Sequence, residues 1–283
     1  MTAIHLFPGQ GSQIRGMGQD IFPRFPALLR QADAVLGYSI EQLCLEDDGT
    51  RLNRTEFTQP ALYTVCALTW LARTQDDATT PDFVAGHSLG EYAALFAAEA
   101  FDFATGLRLV QQRGALMGAI EGGGMAAVLR LPIDRLRSII EEQRFEDVDI
   151  ANLNSPSQTV LAGPVADLDR LTPFIEAAGG VAMPLKVRTA FHSRHMRGVR
   201  EAFAATLAET AFKPLMLPVI ANVTALPYRD AAIAGTLAQQ IDSPVRWTET
   251  IRYLLAEPNP AFTEIGPGQV LSRLCKEIEK AAA

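Results

Sequence analysis

The chain has 283 residues, of which 48% are hydrophobic and 20% charged, with a formal net charge of −7. That length can bury a sizeable core, and the acidic balance argues against general nucleic-acid binding. Three widely spaced cysteines (Cys44, Cys66 and Cys275) form no CxxC or CxxH pattern, so reduced thiols and no metal site are expected.

The N-terminal "MTAIHLFPGQGSQ" has no basic n-region and reads as a first strand, "AIHLF", ended by Pro8-Gly9. No apolar stretch approaches transmembrane length, so no membrane contact and a cytoplasmic setting are expected. "QPALYTVCALTWLA" (59–72) is apolar nearly all round and reads as a buried helix. "DFVAG" is a second strand, "EYAALFAAEA" a second buried helix, and "FATGLRLVQQRGALM" (103–117) a third helix. Strands alternating with helices indicate α/β layers on a mostly parallel sheet.

The rhythm changes at "EGGGM" (121–125). "MAAVLRL" is strand-like, and "PIDRLRSIIEEQ" sets Ile133, Leu136, Ile139 and Ile140 on one helical face. "VDIANLNSPSQTVLAG" reads as two strands about an Asn-Ser-Pro-Ser turn. "VADLDRLTPFIEAAGG" is a helix that Pro173 is expected to kink or divide, and "VAMPLKV" is a last strand. The order β-α-β-β-α-β is that of a ferredoxin-like unit. Residues 123–187 therefore read as a small subdomain inserted into a large one made of 1–122 and 188–283.

Between the second strand and its helix lies "GHSLG", a Gly-x-Ser-x-Gly turn that can expose the Ser88 hydroxyl at a helix N-terminus. A tight turn with no chemistry is the alternative. A nucleophilic Ser88 needs a base. Of four histidines, His5 lies in the first strand and reads as core, and His87 is expected to point away from its neighbour. "TAFHSRHM" (189–196) supplies His192 and His195; on residues alone His192 is equally a base or a satisfied polar residue. No third acid stands out, and a carbonyl could orient the ring instead.

"FPGQGSQ" (7–13) is not a dinucleotide fingerprint, because Ile14 occupies the third glycine position. It could bring a backbone N–H to a substrate oxygen, or be a plain turn. Arg113, alone in an apolar-patterned helix, reads more often as a solvated side chain than as a ligand for a substrate carboxylate. Lys186, Arg188, Arg194, Arg197 and Arg200 form a run with no acid between them. They suit nucleotide phosphates or an acidic carrier protein, or else make a solvated face.

Taken together, "FPGQGSQ", "TQPALY", "GHSLGEYAAL", "QQRGALM", "NLNSPSQTVLAG", "AFHSRHM", "PVIANVTA", "SPVRW" and "EIGPGQVLSRL" resemble the malonyl-CoA:acyl-carrier-protein transacylase family, block by block and in order. "ADAVLGYSIEQLC" and "FHSRHM" look most like the free-standing acyltransferases that serve polyketide synthases in trans.

The resemblance implies an α/β-hydrolase-like large subdomain, a ferredoxin-like small one and an active site between them. It makes Ser88 the nucleophile, His192 the general base, and the backbone carbonyl of Gln240 the group that orients His192. It gives the oxyanion hole to the backbone N–H groups of Gln10 and Leu89, and the malonyl carboxylate to Arg113. Lys186, Arg188, Arg194 and Arg197 become candidate contacts for CoA or carrier protein. Malonyl-selective modular relatives often carry "HAFH"; here "TAFH" departs at Thr189 and keeps Ala190 and Phe191. The implied substrates are malonyl-CoA and an acyl carrier protein, with no tightly bound cofactor, and a monomer is expected. Two rivals stand beside this reading: an acyl hydrolase that clears carrier proteins, and a non-catalytic docking module for them.

Overall fold

A strand buried along almost its whole length belongs in the middle of a sheet covered on both faces. β1 (Thr2–Phe7) is such a strand, and it lies centrally in a four-stranded parallel sheet. The computed structural model describes residues 1–77 and 79–282. After β1 come two helices in a region where the sequence pattern marks none, α1 (Pro26–Leu36) and α2 (Ile40–Glu46), the second capped by Ser39. The long α3 (Thr55–Asp76) leads into β2 (Phe83–Gly86), α4 (Gly90–Ala97) and α5 (Phe103–Gly118).

A second sheet follows. It comprises β3 (Gly123–Leu129), α6 (Ile133–Glu142), β4 (Asp149–Ser155), β5 (Gln158–Pro164), α7 (Val165–Ala177) and β6 (Val181–Pro184). Its strand order is β4-β5-β3-β6, all antiparallel, which is the ferredoxin-like arrangement. Leu136, Ile139, Leu161, Leu171 and Ile175 close a core of its own.

Two expectations change here. Pro173 does not divide α7, which runs unbroken from Val165 to Ala177. Both Pro173 and Asp169, the residue whose carbonyl loses its helical donor, are exposed, so water can take the place of the missing N–H. The last strand stops at Pro184, and Leu185 and Val187 beyond it line the small chamber described below.

The chain then returns through α8 (Arg197–Glu209), β7 (Val219–Ile220), α9 (Ile233–Gln240), α10 (Trp247–Leu255), β8 (Pro260–Glu264) and α11 (Val270–Ala282). The first sheet is ordered β7-β2-β1-β8, with every pair parallel, as in an α/β-hydrolase-like core. α11 packs against it through Leu271, Leu274, Cys275 and Ile278, the i, i+3, i+4, i+7 stripe of an amphipathic helix. The two sheets are joined along β4. Leu153 N–H donates to Val245 O (2.9 Å), Val245 N–H to Ala151 O (2.9 Å), and Thr248 Oγ1 to Leu153 O (3.0 Å).

Candidate active site

The turn after β2 is tight enough to demand glycine at both ends. A Cβ on Gly86 would lie 2.0 Å from Gly90 C, and one on Gly90 would lie 2.0 Å from Phe7 O. Ser88 between them has φ 52°, in the left-handed region that a non-glycine residue occupies only under constraint. The constraint is Asn222. Its Oδ1 accepts from Ser88 N–H (2.6 Å), and its Nδ2 donates to Gly86 O (2.6 Å).

The strained turn aims Ser88 Oγ at His192 Nε2, 2.7 Å away. His192 lies 4% exposed in the loop between β6 and α8. Its Nδ1–H donates to the backbone carbonyl of Gln240 (2.8 Å), which leaves Nε2 bare to accept the serine proton. Among the described residues, no acid hydrogen-bonds to the ring. Burial and the nearby Arg113 charge push the His192 pKa down to about 3, so the ring is neutral at physiological pH.

Arg113 is not the solvated side chain that its sequence neighbours suggest. It is 1% exposed, and its guanidinium reaches across the site. Nη1 donates to Gln59 Oε1 (2.8 Å), while Nη2 donates to Gln240 Oε1 (2.9 Å) and to Ser88 Oγ (3.1 Å). The guanidinium also lies 5.5 Å from the centroid of the Tyr92 ring. α3 and α5 pack tightly, which brings Gln59 and Arg113 together.

These groups face a chamber of about 100 Å³, too small for a long acyl chain. Met117, Met125, Leu185, Val187 and Phe191 form its apolar wall, with Gln10 and Leu89 beside Ser88. Neither backbone N–H of Gln10 nor of Leu89 is taken up in a hydrogen bond among the described residues. Thr189 lies outside the chamber, where its hydroxyl donates to Ile120 O (2.6 Å). Next to the chamber, sharing His192, opens a cleft of about 1060 Å³.

Among the described residues, no other histidine side chain hydrogen-bonds to Ser88 or Arg113. His5 is core, edge-on to Trp70 at 5.6 Å between ring centroids. His87 turns away to Asn154 Oδ1 (2.8 Å), and His195 Nε2 donates to Asp147 O (2.9 Å).

The basic run does not form one patch, because the folded chain inserts acids between its members. Arg194 is clamped to Asp149 (2.5 Å), Arg200 to Asp242 (3.2 Å), and Arg188 meets Glu121 (3.7 Å). Arg194 and Arg197 line the large cleft, while Lys186 and Arg188 line a separate groove. Among the described residues, Lys186 and Arg197 have no acidic partner.

Pattern reading misses Asn222, Gln59, Glu91 and Tyr228. Glu91 is fully buried in the first turn of α4, and accepts from Tyr228 Oη, from Gln240 Nε2, and from Asn222 N–H (3.3 Å). The only sequence signal for it is a carboxylate opening an otherwise apolar helix.

The model of the acyl transferase domain matches residues 4–282. The polyketide biosynthesis malonyl CoA-acyl carrier protein transacylase PksC of Bacillus subtilis is 49% identical over 98% of this chain and 97% of its own. PksE of the same organism, a polyketide biosynthesis protein, is 48% identical over 98% of this chain; the chain spans 36% of PksE's length. The crystal structure of malonyl CoA-acyl carrier protein transacylase from Burkholderia pseudomallei superposes with a TM-score of 0.96 at 47% identity, covering 99% of this chain and 98% of that one.

Proposed function

Because the chain belongs to the acyl transferase domain family, we propose that it carries a malonyl group from malonyl-CoA to the phosphopantetheine thiol of an acyl carrier protein, in trans to a polyketide synthase. The observation that carries this reading is the buried guanidinium of Arg113 held 3.1 Å from the Ser88 hydroxyl. An acyl group on Ser88 that ends in a carboxylate meets a cation there; a hydrolase of neutral acyl groups has no use for one.

Each half-reaction uses the same groups. His192 Nε2 takes the Ser88 proton as Oγ attacks the thioester carbonyl of malonyl-CoA. The N–H groups of Gln10 and Leu89 hold the oxyanion, with about 3–4 kcal/mol expected for each such donor. The His192 proton passes to the departing CoA sulfur, leaving malonyl-Ser88 with its carboxylate on Arg113. The carrier thiol then gives its proton to His192 and attacks the ester, and the proton returns to Ser88 Oγ. Gln240 holds His192 through its backbone and Arg113 through its side chain. The division into 1–122 with 188–283 and 123–187 belongs to the same reading, supported by the two separate sheets.

No helix among the described residues is long and apolar enough to cross a membrane, and a cytoplasmic setting suits a CoA-dependent transfer. Arg197 and Lys186 are the basic residues left to meet CoA phosphates or the acidic carrier. The test is intact mass after mixing with malonyl-CoA, then a chase with holo carrier protein. Gain of one malonyl group on Ser88 and its loss to the carrier is the expected result; malonate released without transfer would make the protein a hydrolase.

A further inference from the structure

A buried cation beside a nucleophile raises a question of charge balance that the acyl-transfer steps leave open. The fully buried Glu91 has no part in those steps, yet it is wired to them. Gln240 Oε1 accepts from Arg113, and Gln240 Nε2 donates to Glu91. One amide thus sits between the charges, carbonyl toward the cation and NH₂ toward the anion. In the resting protein this is one cation and one carboxylate, electrically closed.

We propose that Glu91 balances the charge of the acyl chamber, taking up one proton from solvent when a carboxylate-bearing acyl group docks on Arg113 and releasing it when that group leaves. The inference rests on the malonyl reading above. A docked malonyl group puts two carboxylates against one guanidinium, with Glu91 and Arg113 both buried. An uncompensated buried anion is costly, and protonating one carboxyl group removes it.

Glu91 is the group suited to accept that proton. α4 packs against β1, β2, α3 and α5, and the charge these bring to Glu91 is Arg113 of α5. Tyr92 on its own helix and Tyr228 opposite are phenols whose pKa values burial raises, so both already hold their protons. His87 donates toward Asn154, and burial lowers its pKa. His192 must stay neutral to serve the carrier thiol, and lies far below neutrality at about 3. Burial raises Glu91 to about 7, against the pull of its hydrogen bonds and of Arg113.

The hydrogen bonds also permit the change. Asn222 N–H and the Gln240 amide can only donate to Glu91. The Tyr228 hydroxyl can do either: it donates to the carboxylate, and it can accept from the carboxylic acid. The transfer chemistry itself is proton-neutral, since the serine proton leaves on the CoA thiol. Net uptake therefore reports Glu91.

The experiment mixes the whole protein with stoichiometric malonyl-CoA at pH 7.5, in weak buffer with a pH indicator, and follows acyl-Ser88 by intact mass. Wild type should take up a proton on malonyl loading, the amount rising toward one per malonyl group as pH is raised above neutrality, and none on mixing with acetyl-CoA. Between pH 6.5 and 8.5 its kcat/KM for malonyl loading should fall about tenfold or more, the slope of one required proton. Glu91→Gln, a neutral isostere, should load malonyl with no uptake and less than about a twofold change over that range.

Uptake that persists in Glu91→Gln would assign the proton to His192, and malonyl loading of wild type without uptake would remove the proposal altogether. Absence of the malonyl ester from wild type would instead overturn the function proposed above. Should Glu91→Gln fail to fold, Tyr228→Phe, which removes a hydrogen bond that holds the Glu91 pKa down, should lessen the uptake at pH 7.5, and unchanged uptake would assign the proton elsewhere.

Discussion

Replacing Arg113 by alanine tests the acyl-group assignment most directly. The substitution removes a buried cation that donates to Gln59, Gln240 and Ser88 Oγ. For malonyl-CoA it breaks a buried charge pair, costing about 2–5 kcal/mol in the loading transition state, or roughly thirty- to several-thousand-fold in kcat/KM. For acetyl-CoA the effects oppose one another. Both guanidinium NH₂ groups already have acceptors in the resting site, so a neutral acyl group leaves Arg113 less starved than an unpartnered cation would be. Loss of the bond to Ser88 Oγ slows acetyl loading, while loss of a charge that depresses His192 makes the base stronger. Acetyl loading should therefore change by less than about tenfold in either direction, so the malonyl-to-acetyl preference should fall by about threefold at the least and by about a few hundredfold in the middle of these ranges. Quenched-flow mass spectrometry of acyl-Ser88 with each CoA ester measures both rates, and near-UV circular dichroism checks the fold. Parallel losses for the two esters in a folded variant would make Arg113 a structural residue and remove the argument for malonyl.

Ser88→Ala should abolish acylation, with no adduct moving to cysteine, because Cys44, Cys66 and Cys275 are buried and burial raises all three thiol pKa values, Cys44 to about 12; a malonyl peptide mapped to any of them would refute this. His192→Ala should slow loading and unloading by about two to four orders of magnitude, and His195→Ala by far less, a contrast read from single-turnover rates in each direction. In Glu91→Gln, which lacks the Glu91-linked fall above neutrality, loading should show no inflection near pH 6.5 and should decline only toward pH 4 and below, because neutral His192 is the active form and its pKa is held near 3. The linked stability has a definite sign: between about pH 3 and 6.5 the unfolded chain binds a proton at this histidine that the folded one does not. His192 therefore lowers the urea midpoint as pH falls through that window. Arg197→Glu should raise KM for carrier protein or CoA ester more than Arg194→Glu does, since Arg194 is committed to Asp149 and Arg197 has no acidic partner among the described residues. Equal effects would return both residues to the solvated surface.

What could be read from the chain follows how local each signal is. The Gly-x-Ser-x-Gly turn is built by contiguous residues, and the β-α-β-β-α-β order needs only periodicity, so both are visible before folding. Arg113 is not, because its acceptors come from α3, α9 and the nucleophile turn, far apart in the chain. Without those neighbours an arginine on a helix is most economically placed in water. The basic run fails for the mirror reason: its members are adjacent in sequence, but Glu121, Asp149 and Asp242 arrive from elsewhere to divide it. Glu91 and Asn222 belong to no motif of side-chain chemistry. They carry out their work by filling hydrogen-bond positions that exist only once β2, α4 and the segment after β7 have met.

The bond from His192 Nδ1 to the carbonyl of Gln240 has a genetic corollary. Every residue except the histidine itself can be exchanged at that contact without deleting the acceptor, because all twenty amino acids carry the same carbonyl. An alanine scan would therefore find no residue that supplies this acceptor, however thoroughly it was done. Damage at position 240 would surface as lost grip on Arg113 and Glu91, a change in which acyl group is accepted. On the proposed roles, the orientation of His192 is sheltered from point mutation, while the grip on Arg113, which hangs on the side chain of the same residue, stays open to selection.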